Sequence, residues 1–331
     1  MKILITGGAG FLGQRLARAL LERGRFVFDG RAHEISRITL LDIVSATGFD
    51  DPRVQALTGD IGDPAVLDAA IDAETQVIFH LAAIVSGQAE ADFDLGMRIN
   101  LDASRILLDV CRERAHRPRV LFTSSVAVYG GSLPAVVKDD TAVHPQTSYG
   151  TQKAAAELLL VDQARRGFID GRAVRLPTIT VRPGRPNAAA SSFASGIIRE
   201  PLNGERAVCP VSEDARMWVM SPDRAVESMI RVVELDRQAL GDWPVLNLPG
   251  LSVSIREMVD ALTHVCGADV AALIDWVPDA RIERMVRSWP GACDPTRGRQ
   301  LGLEGDRNFE EVVRAYLASL PAAARVTTPA R

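Results

Sequence analysis

The chain opens with a short apolar run that is followed at once by closely spaced glycines. Residues 2–6 read Lys-Ile-Leu-Ile-Thr, and Gly7, Gly10 and Gly13 precede an amphipathic stretch that ends at Gly24. This order predicts a strand, a tight turn and a helix, because Gly7 permits the turn, Gly10 lets backbone approach a pyrophosphate and Gly13 allows close packing of helix on strand. The N–H groups at the start of such a helix bind phosphate oxygens. The segment therefore predicts dinucleotide binding.

A second strand is predicted at residues 37–42, and it ends in an acid, Asp42. A carboxylate at this position accepts hydrogen bonds from the adenosine ribose hydroxyls and repels a 2′-phosphate. The residues that follow, Ile43 to Ser45, include no arginine to hold such a phosphate. The pattern favours NAD over NADP as the cofactor. Residues 26–36, before this strand, are interpreted as an inserted loop.

Length and composition narrow the class of protein. The chain has 331 residues, of which 47% are hydrophobic, and its net charge is -4. This length suits one large or two modest domains, and the charge gives no reason to expect nucleic acid or an anionic membrane as a partner. The four cysteines are dispersed without metal-ligand or redox spacing, so we predict no metal and a reducing, cytoplasmic setting. We expect no signal peptide before the first strand and no membrane span.

Strands and helices alternate through the first half of the chain. Further strands are predicted at 53–61, 76–83, 119–125 and 172–176, with intervening helices that start at Pro64, cover 93–114 and contain Tyr149. This alternation predicts an α/β fold with a doubly wound parallel sheet, whose ligands lie off the carboxyl ends of the strands. We expect an NAD-binding domain over 1–175, a smaller and mainly substrate-binding α+β part over 176–320 with segments that return to the sheet, and a flexible tail over 321–331.

Tyr149 and Lys153 lie four residues apart at the start of an alanine-rich stretch. In a helix this spacing puts both side chains on one face. An ammonium beside a phenol favours the phenolate, so it can bring the tyrosine pKa down from its ordinary value of ~10. Taken alone, such a pair is usually an ordinary exposed helix face. Its position after a strand of a dinucleotide-binding sheet makes it a candidate catalytic pair.

Several further motifs resemble the extended branch of the short-chain dehydrogenase/reductase family. Besides the glycine turn and the Tyr149–Lys153 segment, they are Gly59-Asp60-Ile61, His80-Leu81-Ala82-Ala83, Arg98-Ile99-Asn100-Leu101, the segment from Ser124 to Gly130, Arg216-Met217-Trp218-Val219, and the segment from Asp294 to Leu303. The resemblance spans nearly the whole chain. It implies a Rossmann fold, NAD as cofactor and a homodimer.

The resemblance also implies roles for individual residues. Tyr149 would be the general acid/base, Lys153 would lower its pKa and bind the nicotinamide ribose, and Ser125 would orient the substrate oxygen, with Ser124 as the alternative serine. Asn100 is similar to the family's asparagine on the central helix, although bracing of that helix is an alternative role. The implied cofactor contacts are Gly7, Gly10, Phe11, Leu12, Gly13, Asp42, Asp60, Ile61, Leu81, Ala82, Ala83, Asn100, Tyr149, Lys153 and Pro177.

The proline-rich stretch after the sixth strand carries several arginines. Arg175, Arg182 and Arg185, with Arg216 later, suit an anionic substrate because a guanidinium pairs bidentately with a carboxylate. We expect two of the four to be structural or on the surface, and Arg175 first among them. Residues 83–94 and 176–195 resemble a narrower group, the D-erythronate dehydrogenases, which implies NAD-dependent oxidation of a four-carbon sugar acid at C2. The implied substrate contacts are Ser86, Ser124, Ser125, Tyr149, Thr178, Arg182, Asn187 and Arg216.

Other functions stay open on the same scaffold. A sugar-nucleotide epimerase would need room for a nucleoside diphosphate, and a dehydratase of this family usually carries an acid at the position of Ser125. A non-enzymatic NAD-binding redox sensor is disfavoured by the intact Ser/Tyr/Lys set. A serine hydrolase is disfavoured because Ser124 and Ser125 lack the Gly-x-Ser-x-Gly turn.

The expected homodimer would form through the helices around 100–114 and 152–165. The leucines that could supply its apolar seam are Leu101, Leu107, Leu108, Leu158 and Leu159, although some of them must face the sheet.

Overall fold

A computed structural model describes residues 1–184, 186 and 188–320 of the chain. Its strands are β1 (Lys2–Thr6), β2 (Arg25–Phe28), β3 (Arg31–Glu34), β4 (Arg37–Asp42), β5 (Val54–Thr58), β6 (Thr75–His80), β7 (Arg119–Ser125), β8 (Asp170–Leu176), β9 (Thr178–Ile179), β10 (Ala207–Cys209), β11 (Arg216–Met220), β12 (Val245–Asn247), β13 (Leu251–Ser254) and β14 (Ile274–Trp276).

The helices surround these strands. They are α1 (Phe11–Arg23), α2 (Pro64–Ala70), α3 (Ser86–Ala91), α4 (Phe93–Gly96), α5 (Ala103–Arg114), α6 (Ser148–Arg165), α7 (Ser192–Leu202), α8 (Pro222–Glu234), α9 (Ile255–Cys266), α10 (Ala268–Ala271), α11 (Ala280–Arg287), α12 (Thr296–Gln300) and α13 (Phe309–Ser319).

The described residues contain a seven-stranded sheet in the order β12-β8-β7-β6-β1-β4-β5, and its neighbouring strands all run parallel. Parallel strands covered on both faces are apolar along their whole length. In β1, Ile3 and Ile5 pack into one core layer with α1 and α8, while Leu4 packs into the opposite layer with α2, α5 and α6. The α/β fold with a doubly wound parallel sheet is therefore confirmed.

Residues 26–36 do not form the loop that the sequence analysis predicted. β2 and β3 pair as an antiparallel hairpin with Phe26 opposite His33. Its two-residue turn is Asp29-Gly30, where φ is 49° and 71°, and an Asp-Gly turn with positive φ at both positions is a strong local signal for a hairpin. Asp29 also binds the buried Arg119 at 3.0 Å, which ties the hairpin to β7.

The long helix predicted over 93–114 is helical throughout, but it is not a uniform α-helix. A π-helical turn at Met97–Asp102 lies between α4 and α5. A π turn displaces the residues that follow it around the helix axis. Asn100 lies within this turn and is 1% exposed.

Smaller sheets lie beyond the main one, in the orders β13-β11-β9 and β10-β14. With α7, α9 and α13 they enclose a separate apolar core. β12 nevertheless pairs with β8 in the main sheet, and α8 packs against the layer that contains α1. Among the helices that the structure describes, none is long and apolar enough to cross a membrane.

A buried ion pair joins α6 to β8. Glu157 and Arg175 are both 1% exposed, and their side chains form a bidentate pair with distances of 3.0 Å (Nε to Oε1) and 2.8 Å (Nη2 to Oε2). Arg175 also contacts the phenol of Tyr129. The expectation that Arg175 is structural agrees with these contacts, which occupy its guanidinium fully inside the protein.

We predict that Glu157→Gln lowers the free energy of unfolding by about 3–5 kcal/mol, because removing one partner of a buried ion pair leaves the other charge uncompensated. Asp162→Asn is the matched control, since it breaks the exposed pairs of the same helix with Arg165 and Arg166; exposed pairs contribute about 0–1 kcal/mol. Urea unfolding followed by circular dichroism measures both. Equal losses in the two variants would contradict the prediction.

Candidate active site

A cavity of about 590 Å³ lies along the carboxyl ends of the central strands. Segments that follow β1, β4, β5, β6, β7 and β8 line it, together with the first turns of α1 and α6. Carboxyl ends of parallel strands meet at one edge of a sheet, and this edge is where open α/β sheets bind ligands. Residues far apart in the sequence therefore share one site.

The glycine turn forms the floor of this cavity. Gly7 has a φ of +71°, and a Cβ on it would come within 2.8 Å of the Ala82 nitrogen. A Cβ on Gly13 would come within 2.2 Å of the Gly7 carbonyl oxygen. Only glycine allows either approach. Gly10 is the N-cap of α1 and offers no side chain to the N–H groups of the first turn, so these donors stay available to an anion.

Asp42, at the end of β4, has a second contact that the sequence did not reveal. One carboxylate oxygen accepts a hydrogen bond from the Ala9 N–H at 3.0 Å, and the other accepts one from the Ile43 N–H at 2.8 Å. Each oxygen keeps lone pairs for further bonds. Asp42 thus stabilises the glycine turn and still presents its charge to the cavity, where it would meet ribose hydroxyls.

Asp60 follows β5 and lies at the same edge. It binds Arg98 at 2.8 Å and the Gly62 N–H at 2.7 Å. Partial burial opposes ionisation of this group, but these two hydrogen bonds outweigh it and hold the pKa of Asp60 below its ordinary value. Ile61 beside it is buried and lines the cavity.

These features fit a dinucleotide. The free donors at the start of α1 suit a pyrophosphate, and the Asp42 carboxylate suits an unphosphorylated ribose. The sequence-predicted cofactor contacts that line the cavity are Gly7, Gly10, Phe11, Leu12, Gly13, Asp42, Asp60, Ile61, Leu81, Ala82, Ala83, Tyr149, Lys153 and Pro177.

Tyr149 and Lys153 reach the cavity from one face of α6. The helix starts at Ser148 because the Thr147 side chain caps it by accepting the Gly150 N–H at 3.1 Å. Lys153 is 1% exposed, its Nζ donates to the Thr123 carbonyl at 3.0 Å, and it lies 5.8 Å from the centre of the Tyr149 ring. The base candidate and its cation are therefore held together at the end of β7.

Burial dominates the ionisation of this pair in the free protein. It raises the pKa of Tyr149 to about 12, although a hydrogen bond with Ser125 and the charge of Arg182 act in the opposite direction. Burial likewise lowers the pKa of Lys153 to about 7, against the nearby Glu157 carboxylate, which raises it. The free protein thus does not yet show the lowered tyrosine pKa that the Tyr-Lys spacing predicts, because desolvation disfavours both charges.

The two candidate serines differ in their contacts. Ser125 accepts the Ala127 N–H at 3.1 Å and lies close enough to the phenol of Tyr149 to lower its pKa. The Ser124 hydroxyl lines the same cavity, is buried, and has no hydrogen-bond partner among the described residues. The contact with the phenol favours Ser125 as the partner of Tyr149 and leaves Ser124 free to meet a bound molecule.

His80 is a structural residue at the end of β6. Its Nδ1 lies 2.7 Å from the Thr6 hydroxyl and its Nε2 lies 3.0 Å from the Ser104 hydroxyl, which itself donates to the Asn100 carbonyl at 2.8 Å. Burial, followed by the charge of Lys153, lowers the pKa of His80 to about 3. The imidazole is therefore neutral and contacts neither candidate serine, so the structure offers it no role as the base of a hydrolase.

Asn100 does not line the cavity. Its side chain accepts the Ile84 N–H at 2.8 Å and donates to the Ile84 carbonyl at 3.1 Å and to Gln152 at 2.8 Å. These bonds occupy both donors of the amide and tie the π turn to the segment after β6 and to α6. The bracing role fits this geometry better than a direct cofactor contact.

The predicted substrate contacts separate into two sets. Those that line the cavity are Ser86, Ser124, Ser125, Tyr149, Thr178 and Arg182. Arg216 lies elsewhere: it is exposed and binds Glu257 at 3.1 Å and the Ser252 carbonyl at 3.2 Å. Arg216 stands at the start of β11, whereas the pairing with β9 is made by Val219 and Met220 at the other end of that strand. Asn187 lies outside the described residues.

Some cavity residues were missed by the sequence analysis. The notable ones are Gln88 on α3, Ser191 just before α7 and Trp289 after α11. Gln88 and Ser191 lie close in the sequence to the predicted contacts Ser86 and Asn187, whereas Trp289 lies far from all of them. Ser86 also has a structural contact, because its hydroxyl accepts the Ala190 N–H at 3.3 Å and so joins α3 to the loop before α7.

Comparison with known proteins identifies relatives across nearly the whole chain. The model of the NAD dependent epimerase/dehydratase family matches residues 3–241. A protein named D-erythronate dehydrogenase from Cupriavidus necator is 60% identical over 96% of this chain and 98% of its own length, and one of the same name from Haemophilus influenzae is 46% identical over 96% and 99%. A crystal structure titled nucleoside-diphosphate-sugar epimerase, from Agrobacterium tumefaciens, superposes with a TM-score of 0.90 at 43% identity and covers 96% of this chain and 94% of that one.

We predict that the protein uses NAD in preference to NADP by about a hundredfold in kcat/KM, equivalent to roughly 2–3 kcal/mol, because the Asp42 carboxylate would accept hydrogen bonds from the ribose hydroxyls and would repel a 2′-phosphate. Asp42→Ala should narrow that gap. Asp42→Asn is the matched control for the turn, since it removes the charge but keeps an oxygen that can accept the Ala9 N–H. Steady-state rates with both cofactors measure the ratio. Equal efficiency of the unmutated protein with NAD and NADP would refute the assignment.

Proposed function

The chain belongs to the NAD dependent epimerase/dehydratase family, and we propose that it is an NAD-dependent dehydrogenase that oxidises D-erythronate, a four-carbon sugar acid, at its C2 hydroxyl. The product would be the corresponding 2-oxo acid. The substrate is inferred from the two relatives named D-erythronate dehydrogenase, which are 60% and 46% identical to this chain. The dispersed cysteines, all free thiols, are compatible with a cytoplasmic enzyme.

The main support for this chemistry is the single cavity that Ser125, Tyr149 and Lys153 line together with the glycine turn. A dehydrogenase has to remove a proton from a hydroxyl beside the place where a dinucleotide binds. Tyr149 supplies a phenol at that place, and Lys153 supplies a cation on the same helix face. The groups needed for acid/base catalysis and for dinucleotide binding therefore meet in one site.

In the proposed reaction the C2 hydroxyl of the substrate donates a hydrogen bond to Tyr149 and accepts one from Ser125. Tyr149 then takes the hydroxyl proton as general base. Lys153 favours the phenolate through its charge, and Glu157 helps Lys153 to stay protonated by raising its pKa against burial. Ser125 orients the oxygen through its bond with the phenol.

The glycine turn and Asp42 would hold NAD, which would supply the hydride acceptor when bound. The protein contributes orientation, exclusion of water and control of one proton. No metal is required, since the charge on the substrate oxygen is handled by Tyr149 and Ser125.

A sugar-nucleotide epimerase is the second candidate, and the Agrobacterium tumefaciens structure with that title is the specific reason to test it. The two functions differ in whether reduced nicotinamide is released during turnover. A dehydrogenase releases reduced nicotinamide with an aldonic acid, whereas an epimerase produces none in the steady state with a sugar nucleotide. Absorbance of the reduced nicotinamide, measured with a panel of aldonic acids and sugar nucleotides, separates the two. A redox sensor would show binding of NAD without turnover of any member of the panel.

We predict that Tyr149→Phe lowers kcat for oxidation by about 10²–10⁴-fold, the range of a general acid/base contribution, while NAD binding survives because only a hydroxyl is removed. Lys153→Met should damage both turnover and cofactor binding, since its charge serves the phenol and the ribose. Steady-state rates and fluorescence titration with NADH measure the two effects. If Tyr149→Phe keeps more than about a tenth of the wild-type rate, the mechanism is wrong.

The pH profile supplies a control for the same assignment. A general base acts in its deprotonated form, so kcat for oxidation should rise with pH. We expect the rise to reflect one group with a pKa well below ~10, the ordinary tyrosine value, because the Lys153 cation on the same helix face favours the phenolate in the complex that kcat reports. Tyr149→Phe should lack this limb of the profile.

We also propose a homodimer that forms through the outer face of α4, the π turn and α6. Phe93 and Leu158 are 59% and 56% exposed, and Leu159 is 37% exposed. Leu101 is partly exposed, whereas Leu107 and Leu108 are buried in the sheet layer and cannot belong to the seam. Exposed apolar side chains on neighbouring helices are typical of an interface.

We predict that the protein is a dimer at micromolar concentration and that Leu158→Glu converts it to a monomer, because the substitution would bury a charge in the seam. Val277→Glu is the matched control, since Val277 is 55% exposed and lies in the C-terminal part. Light scattering coupled to size-exclusion chromatography measures the mass. A monomeric wild type, or a dimer that survives Leu158→Glu unchanged, would contradict this interface.

A further inference from the structure

Three buried polar atoms belong to side chains that line the cavity. They are the Ser124 hydroxyl, Nη2 of Arg182 and Nε1 of Trp289, and none of them has a hydrogen-bond partner among the described residues. All three residues line the cavity that contains Tyr149. A buried donor without a partner costs about 1–3 kcal/mol, and more when it is charged. Three such atoms around one cavity indicate that a ligand supplies their partners.

Arg182 is held in place by its backbone. Its N–H donates to the Ser195 hydroxyl at 3.0 Å, and its carbonyl accepts a bond from Arg199 at 2.7 Å, both residues being on α7. Arg199 itself pairs with Glu200. The chain thus fixes the position of Arg182 without using its guanidinium, as a preorganised binding residue requires.

The guanidinium of Arg182 has no acidic partner in the part of the chain that the structure describes. None of the salt bridges among the described residues includes it, whereas Arg98, another cation of the cavity, is paired with Asp60. Burial, followed by the charge of Arg199, lowers the pKa of Arg182, and the nearby Tyr149 raises it. A buried cation of this kind is stabilised when an anion enters the site.

Trp289 adds a neutral donor from the other part of the molecule. It follows α11, and its ring packs against the core that α7, α9 and α13 enclose. An indole N–H can only donate, and an ionised carboxylate can only accept. The indole N–H and the Arg182 guanidinium belong to residues that line one cavity, and together they offer a donor for each of the two oxygens of a carboxylate.

We propose that Arg182 and Trp289 form the receptor for the substrate carboxylate and so determine the specificity for sugar acids. This inference rests on the proposed function. The carboxylate of the substrate accepts hydrogen bonds from Arg182 Nη2 and Trp289 Nε1, and the adjacent C2 hydroxyl then reaches Tyr149 and Ser125. The Ser124 hydroxyl binds another oxygen of the same molecule. The receptor joins the loop after β9 to the segment after α11, so substrate binding links the two parts of the protein.

A single cation suits a carboxylate better than it suits the diphosphate of a sugar nucleotide. A diphosphate carries two negative charges and is usually held by several cations or by the N-terminus of a helix. Near Tyr149 the cavity offers Arg182 and Lys153, and Lys153 already donates to the Thr123 carbonyl. The charge of the site therefore favours a monoanionic substrate.

The test compares D-erythronate with its amide, D-erythronamide, which keeps every hydroxyl but has no negative charge. Trp289→Phe keeps an aromatic ring but removes the N–H together with the five-membered half of the indole, while Arg182→Met removes the charge and Arg182→Lys keeps it without the planar fork. For D-erythronate we expect kcat/KM to fall by about 10-fold or more in Trp289→Phe and by about 100-fold or more in Arg182→Met, since hydrogen bonds to charged groups are strong. For the amide, whose carbonyl oxygen accepts only an uncharged hydrogen bond from Trp289, kcat/KM should fall by a smaller factor in Trp289→Phe than it does for the acid.

The ratio of kcat/KM for the acid to kcat/KM for the amide is the decisive quantity. Loss of the Arg182 charge also affects Tyr149, but that effect acts on both substrates alike, so the ratio isolates recognition of the carboxylate. We expect the ratio to fall in Trp289→Phe and Arg182→Met and to recover partly in Arg182→Lys. Trp276→Phe and Arg206→Met, both in the C-terminal part and outside the cavity, should leave it unchanged.

A binding measurement tests the carboxylate receptor independently of whether the proposed function is correct. Calorimetric titration of D-erythronate into the protein saturated with NADH reports the receptor without turnover, and NADH fluorescence confirms that each variant folds and binds cofactor. If the wild type oxidises no aldonic acid, the proposed function fails, and an unchanged D-erythronate affinity in the variants then overturns the receptor as well. A wild-type ratio in Trp289→Phe, or equal losses on acid and amide in Arg182→Met, overturns it directly.

Discussion

The close approach of two backbone turns determines how this site is built. Gly7, after β1, lies so near Ala82, after β6, that a single Cβ on the glycine would come within 2.8 Å of the Ala82 nitrogen. β1 and β6 are neighbours in the sheet although some seventy residues separate them in the chain. Their contact defines the crevice where the strand order reverses. Because the two turns approach each other so closely, three segments face one another: the dinucleotide-binding turn, the loop after β6 and the end of β7.

The electrostatics of the cavity follow from its burial. Tyr149, Lys153 and Arg182 all line it, and burial opposes the charge of each one. The residues of α6 that face inward at intervals of four are a phenol, an ammonium and a carboxylate, namely Tyr149, Lys153 and Glu157. Glu157 supports the charge of Lys153, and its own charge is compensated by Arg175. The catalytic pair therefore depends on an ion pair deeper in the core, and a change at Arg175 should be felt at the phenol.

The two parts of the molecule contribute different chemistry to one cavity. The parallel sheet supplies the groups for the cofactor and for proton transfer, all at the ends of strands. The loop after β9 and the segment after α11 supply two donor atoms, Nη2 of Arg182 and Nε1 of Trp289, that have no partner among the described residues. This division explains how a scaffold shared by epimerases and dehydrogenases can select a particular substrate: the proton chemistry stays with the sheet, while recognition lies in segments that can vary without disturbing it.

The sequence by itself determined the features that depend on neighbours in the chain. The glycine turn, the acid at the end of β4, the Tyr149–Lys153 face and the order of strands and helices all follow from short spacings and hydrophobic periodicity, and the sheet confirms that order. The Asp29-Gly30 turn is also a local signal, and it predicts a hairpin where the sequence analysis placed a loop. Only the tertiary structure decided that Arg182 lines the cavity and that Arg216 lies elsewhere. It also decided that Leu107 and Leu108 belong to the core and that Trp289 reaches the site. The reason is physical: these side chains converge from distant segments, so their positions depend on the packing of whole elements and not on local spacing.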